Sequence, residues 1–128
     1  IFIDVDGVEY NFIPDGAYSL GNPCWSPDGT KIAFEAYEDS GGQRAIYYIE
    51  KPFKNSTMKQ ITFPSGGKEQ HKHPTWGEDD LIYFSGNIIY SSRDDIYGVR
   101  FSKNELESNP WVMVSKGPGN KDYPCWGM

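Results

Sequence analysis

Tryptophan recurs at a fixed interval in this chain. Trp25, Trp76 and Trp126 stand 51 and 50 positions apart, and each follows a proline by two residues: Pro23, Pro74 and Pro124. The surroundings repeat with them. WSPDGTKIAF (25–34) aligns with WGEDDLIYF (76–84) after one deletion, which pairs Ile32 with Ile82 and Phe34 with Phe84. Further on, AIYYIE (45–50) corresponds to DIYGVR (95–100), and MKQITF (58–63) to PWVMV (110–114). The first residues fit the same scheme with shorter connections, IFIDV (1–5) standing for the second-type strand and EYNFI (9–13) for the third.

Every segment of the unit reads as a strand. Nine Tyr and seven Phe favour a pleated surface, while fourteen Gly and nine Pro favour turns. No stretch carries a 3.6-residue apolar period of helical length. Each unit starts with a short strand at Pro-x-Trp and continues with three more. Four strands in a unit of this length are the pattern of a β-propeller blade. A plain sandwich would space its strands evenly, but has no cause to repeat the same Pro, Trp and turn. The expected fold is all-β, a single β-propeller segment of four-stranded antiparallel blades. Residues 1–22 would end one blade, 23–72 and 73–122 would be full blades, and 123–128 would be the first strand of a further one.

The composition narrows the function classes. At 38% hydrophobic, the 128 residues hold enough apolar material for a packed core. A net charge of −6 argues against nucleic acid or an anionic membrane surface as the main partner. No apolar run approaches the roughly 20 residues of a membrane span. The chain starts at Ile1 rather than Met and shows no signal peptide, so it is read as processed or cut from something longer. Cys24 and Cys125 occupy equivalent positions in units too far apart for a bridge, and are expected to be small, buried and reduced.

Few residues point to chemistry. Ser26-Pro27-Asp28-Gly29 reads as a tight turn, in which Asp28 accepts a hydrogen bond from the backbone two residues on and Gly29 takes a positive φ. Asp79 would do the same in the second unit, and Ile13-Pro14-Asp15-Gly16 has similar turn chemistry without the Trp. The three repeated Trp residues are read as packing between neighbouring blades rather than as a ligand platform, with Trp111, outside the repeat, as the exposed one. Asp4-Val5-Asp6-Gly7 lacks the further ligands of a calcium loop and reads as a strand ending in a turn. Glu69, His71 and His73 form the densest set of metal-ligating groups, and two His at i and i+2 on a strand would share a face. The counterparts of His73 are Asn22 and Tyr123, so the cluster is read as a solvated loop leading into the strand. Ser115-Lys116-Gly117-Pro118-Gly119 lacks the strand-to-helix setting of a phosphate loop, and Asn55-Ser56-Thr57 fits a glycosylation sequon. No catalytic residue and no cofactor are assigned.

The stretch NPCWSPDGTKIAFEA (22–36) resembles the WD-like β-propeller repeat of the TolB type, whose hallmark is P-x-W-S-P-D-G-x-x-I-A-F. The second unit departs from it, with Gly77, Glu78 and Asp80 in place of Ser, Pro and Gly and one residue missing. The resemblance implies a non-catalytic interaction module that binds a protein or glycan partner in a periplasmic or secreted setting. The alternative is the propeller portion of an enzyme. That enzyme is either a prolyl-oligopeptidase-type peptidase, where the propeller gates a separate domain, or a metal-dependent polysaccharide lyase, for which Glu69, His71 and His73 are the candidate ligands. Two ways of completing the ring are open. The chain is a segment of a longer propeller, or copies assemble into a homo-oligomer by completing a shared blade through the chain ends.

Overall fold

In a computed structural model the chain is all-β. The residues described are 2–5, 8–11, 18–53, 58–65, 68–77, 81–88, 94–100 and 111–113. Strands β1 (Phe2–Val5) and β2 (Val8–Asn11) form an antiparallel hairpin. A four-stranded sheet follows, with β3 (Tyr18–Trp25), β4 (Lys31–Glu38), β5 (Ala45–Glu50) and β6 (Lys59–Gln60) side by side in chain order. The second four-stranded sheet repeats this meander with β7 (His71–Trp76), β8 (Leu81–Gly86), β9 (Asp95–Arg100) and β10 (Trp111–Met113). All pairings are antiparallel. Among the described residues no helix is long and apolar enough to cross a membrane, which says nothing of a strand-built barrel.

The sequence repeat is also a repeat of register. Trp25 pairs with Ile32 and Ile32 with Ile49; Trp76 pairs with Ile82 and Ile82 with Val99. Phe34 faces Tyr47, and Phe84 faces Tyr97. Both sheets carry a bulge at the same place. Asn22 and Pro23 lie between the pairs Gly21–Glu35 and Cys24–Ala33, and His73 and Pro74 between Lys72–Ser85 and Thr75–Tyr83. Proline has no N–H to give to the ladder, so it sits where the ladder is already broken. The residue before it adopts a left-handed backbone, with φ of 50° at Asn22 and 54° at His73, a conformation for which Asn and His are enriched. Because the bulge lets the chain remain in the sheet, β3 begins at Tyr18 and not at the Pro-x-Trp motif itself.

The turn after Trp25 forms as its sequence predicts. Asp28 Oδ1 accepts from the Thr30 N–H at 3.0 Å and from the hydroxyls of Thr30 and Ser26, both at 2.7 Å. Gly29 has φ 72° and donates to the Ser26 carbonyl at 3.0 Å. The three donors hold the Asp28 carboxyl well below the usual carboxylate range.

Strand alternation gives each sheet two faces. Ala33, Ile46 and Tyr48 point from the first sheet into a core shared with Trp76, Ile82, Phe84, Tyr97 and Val99 of the second. Ile32, Phe34, Ala36, Ile49 and Phe53 build a separate cluster on the opposite face of the first sheet. The Ile–Phe face of the second sheet therefore lies on the Ala33–Tyr48 face of the first. The repeated Trp residues part company here. Trp76 is 7% exposed inside the shared core, whereas Trp25 is 44% exposed, edge-on to Phe53 at 5.5 Å. The expectation of buried packing thus holds for Trp76 and fails for Trp25, because burial at this position comes from the adjoining sheet and not from the strand itself. Cys24, expected to be buried, is a partly buried free thiol 3.7 Å from Thr75 Oγ1.

The Asp79 turn, the turns at Asp6-Gly7 and at 13–16, the sequon at 55–57, the 115–119 stretch, the side chain of Trp111, and Tyr123, Cys125 and Trp126 lie outside the described residues.

Candidate functional site

Polar groups meet at the seam between the two sheets. Glu35 sits in the middle of β4, where Ile32 to Ala36 are all buried, and points with Ala33 toward the second sheet. A carboxylate that is 6% exposed needs compensating donors. Its Oε1 accepts from the side-chain amide of Asn22 and from the backbone N–H of His73 at 3.1 Å. Arg44 Nε lies 3.4 Å from its Oε2, and His73 Nδ1 lies 3.7 Å from its Oε1. Asn22 and His73 are the left-handed residues of the two bulges. One carboxylate therefore ties the bulge of β3 to the bulge of β7. The equivalent position in the second sheet is Ser85, whose hydroxyl is 3.5 Å from the Lys72 carbonyl.

His71 forms a second tie. It is 0% exposed, at the start of β7, with its ring 5.0 Å from that of Phe84. Its Nδ1 is 2.8 Å from Thr62 Oγ1 and its Nε2 is 2.7 Å from Glu69 Oε2. The Thr62 oxygen already accepts the Ile46 N–H at 3.0 Å, and Ser65 Oγ donates to Glu69 Oε1 at 2.9 Å. The bonding assigns the neutral tautomer, with the Thr62 hydroxyl donating to Nδ1 and Nε2–H donating to Glu69. Burial pushes the His71 pKa below its ordinary value, against the upward pull of Glu69.

A hydroxyl, an imidazole and a carboxylate in line are the parts of a nucleophilic triad. Here Thr62 is 1% exposed and its oxygen is held by a backbone N–H, so the line joins the segment after β6 to the first strand of the next sheet. This corrects the reading of residues 69–73 as a solvated loop. Glu69 and His71 do come together, but in a buried bond, and the bulge sends His73 to Glu35 instead. Both ring nitrogens of His71 are engaged. Among the described residues no group of three or more His, Cys, Asp or Glu is arranged to hold a metal ion. Sequence reasoning missed Glu35 and Thr62. For Glu35 a signal existed, since it is the single charge within the apolar run IAFEAY (32–37). Thr62 carries no such mark.

The sign of the His71 effect fixes a pH dependence. A histidine whose folded pKa is depressed contributes fully above its unfolded value, and stability falls as pH drops below about 6.5, where the unfolded chain takes up the proton first. Asp28 acts only below about pH 4, so the two windows are separate. The urea midpoint of the wild type is expected to fall between about pH 7.5 and about pH 5.5. His71→Leu, which installs the residue type found at the equivalent Leu20, should be less stable at pH 7.5 and flatter across the same interval. An unchanged slope in the variant would show that His71 does not carry the dependence.

No protein-family model matches the chain. It is similar to the Tol-Pal system protein TolB of Wigglesworthia glossinidia brevipalpis, with 37% identity over 62 residues, or 48% of this chain. The chain spans 14% of the length of that relative.

Proposed function

We propose that the two sheets are consecutive blades of a TolB-like β-propeller, and that the chain is a non-catalytic module recognising a protein partner in the periplasm or in a secreted setting. The observation that carries this reading is the recurrence of strand order, pairing register and bulge from one sheet to the next, with the Ile–Phe face of one lying on the opposite face of the other. Units related in this way build a ring or an array, whose loops present a broad surface. The blades would be β3–β6 and β7–β10, so that they begin near Tyr18 and His71, a few residues before the boundaries at 23 and 73 expected from the Pro-x-Trp motifs, with the end of one blade before them and the start of another at 123–128. The similarity to a Tol-Pal system protein supports the partner class, and function rests on that likeness rather than on the fold alone.

In this reading Glu69, His71 and His73 are structural, His71 holding the sheets together and His73 serving the bulge. Two calorimetric titrations test it. Purified components of a Tol-Pal system should give a saturable heat with the chain. Mn²⁺, Zn²⁺ and Ca²⁺ should give none. A metal heat abolished by His71→Ala and His73→Ala, with no response to the Tol-Pal components, would overturn the reading in favour of a metal-dependent enzyme.

A further inference from the structure

The strand that carries His71 is divided by its bulge. The pairs His71–Gly86 and Lys72–Ser85 precede it, and Thr75–Tyr83 and Trp76–Ile82 follow. The two parts are held by different forces. Past the bulge, Pro74 and Trp76 are buried, and at the bulge Glu35 accepts the His73 N–H. Before it, the run Lys68-Glu69-Gln70-His71-Lys72 has no aliphatic side chain. This run lies as a strap across the start of β5 and the end of β8, on polar bonds. The Glu69 carbonyl accepts from the Gln43 amide at 2.9 Å, Gln70 Oε1 from the Arg44 N–H at 2.8 Å, and the Arg44 carbonyl from the His71 N–H at 3.0 Å. The Gln70 N–H donates to Asn87 Oδ1 at 2.7 Å, and Lys72 Nζ to Asp94 Oδ2 at 2.9 Å. Bonds of this kind are exchanged for water at small net cost, so a strap held by them opens before a core does. Of its side chains only the His71 ring is fully buried.

We propose that this strap is an acid-released joint: on protonation of His71, residues 68–72 lift from the first sheet and from β8, and the bulge, clasped by Glu35, stops the opening at His73. The trigger lies in the bonding. Thr62 donates its hydroxyl to Nδ1, and a proton there turns that acceptor into a second donor. Thr62 is 1% exposed and its oxygen already takes the Ile46 N–H, so its O–H loses its acceptor in a buried place. Lifting the strap gives both groups to water. Glu69 attracts the protonated ring, but it stands two residues away on the same strap, so the pair moves together and does not oppose the opening. The other charged groups around the ring are Asp95, in register beyond Gly86, Arg44 and His73 beside Glu35, Lys72 with Asp94, and the exposed Lys68. Both ring nitrogens are taken by Thr62 and Glu69, so none of these bonds it. The depression of the His71 pKa by burial has the same sign. The joint goes beyond the partner assignment, and neither depends on the other.

Native-state amide exchange of the full chain tests it, with rates corrected for intrinsic exchange at about pH 7.5 and about pH 5.5. The Gln70 and His71 amides should open in a step that low urea barely changes, because little surface is exposed in it. The His73 and Gly77 amides, past the joint, should be better protected at both pH values. Protection at Gln70 and His71 should fall by about 10-fold between the two, the factor set by one proton taken up in the open state with a pKa of about 6.5. His71→Leu should abolish that fall. Circular dichroism shows whether this variant folds; if it does not, His71→Gln, polar but without a titrating proton, takes its place. Gln70 and His71 amides that share the protection and urea dependence of His73 and Gly77 overturn the inference, since the strap then opens only with the whole fold. So does a protection that is the same at both pH values, or a fall that persists in the folded variant.

Discussion

Phe84→Ala is expected to cost about 3–5 kcal/mol in equilibrium urea unfolding, while Phe34→Ala, the same change at the same repeat position, costs about 3 kcal/mol or less. Both rings are fully buried. They differ in what surrounds the cavity each would leave. Phe84 lies between the sheets, 5.0 Å from the His71 ring and 5.9 Å from that of Tyr97, where two backbones fix the walls. Phe34 stacks on Tyr47 at 6.4 Å, and Tyr47 in turn meets Tyr18 edge-on at 6.0 Å. Those half-buried neighbours can close over the gap, and relaxation of the walls is what lowers the cavity cost. A second readout follows from the position of His71. Water admitted beside its ring relieves the burial that depresses its pKa, so Phe84→Ala should also flatten the stability slope below about pH 6.5. Equal losses for the two variants, with the slope unchanged, would mean that the space between the sheets is no more rigid than the outer face.

Local chemistry and period were legible from sequence, and contacts set by distant chain were not. The Trp interval and the matched Ile–Phe pairs gave the strands and the unit. Ser26-Pro27-Asp28-Gly29 gave its own turn, because every partner of Asp28 lies within two residues. The bulges could be explained only once the register was known, although Pro23 and Pro74 stood in plain view. His71 looked solvated because its neighbours in HKHP are polar, yet its burial comes from Thr62, in the segment after β6, and from Phe84 of β8. The two partners that define Glu35 are 13 and 38 positions away, and no local pattern selects them. Trp25 and Trp76 stand at the same repeat position and are opposite in exposure, which is the limit of any argument from a repeat. A repeated residue has a repeated environment only where its neighbour is repeated as well.

Glu35→Ala is expected to destabilise the chain by about 2–4 kcal/mol, a large effect for a single polar side chain. The loss is not the net worth of an ion pair. Arg44 is 41% exposed at its side chain and stacks over Tyr37 at 4.9 Å, so it returns to solvent at little cost. The penalty comes from the donors left behind, namely the Asn22 amide and above all the His73 N–H, at bulges whose left-handed backbone already costs energy. Glu35→Gln separates the two contributions. Its carbonyl oxygen can still accept from Asn22 and His73 while the charge toward Arg44 is lost, and the cost should fall to about 1 kcal/mol. A double-mutant cycle with Asn22→Ala should return a coupling of about 1 kcal/mol, and amide exchange at His73 should accelerate in Glu35→Ala but not in Glu35→Gln. If Glu35→Ala stays within about 0.5 kcal/mol of wild type, the bulges are held by the sheets alone. If the alanine and glutamine variants are equally damaged, the Arg44 pair carries the stability and the clasp between the bulges does not.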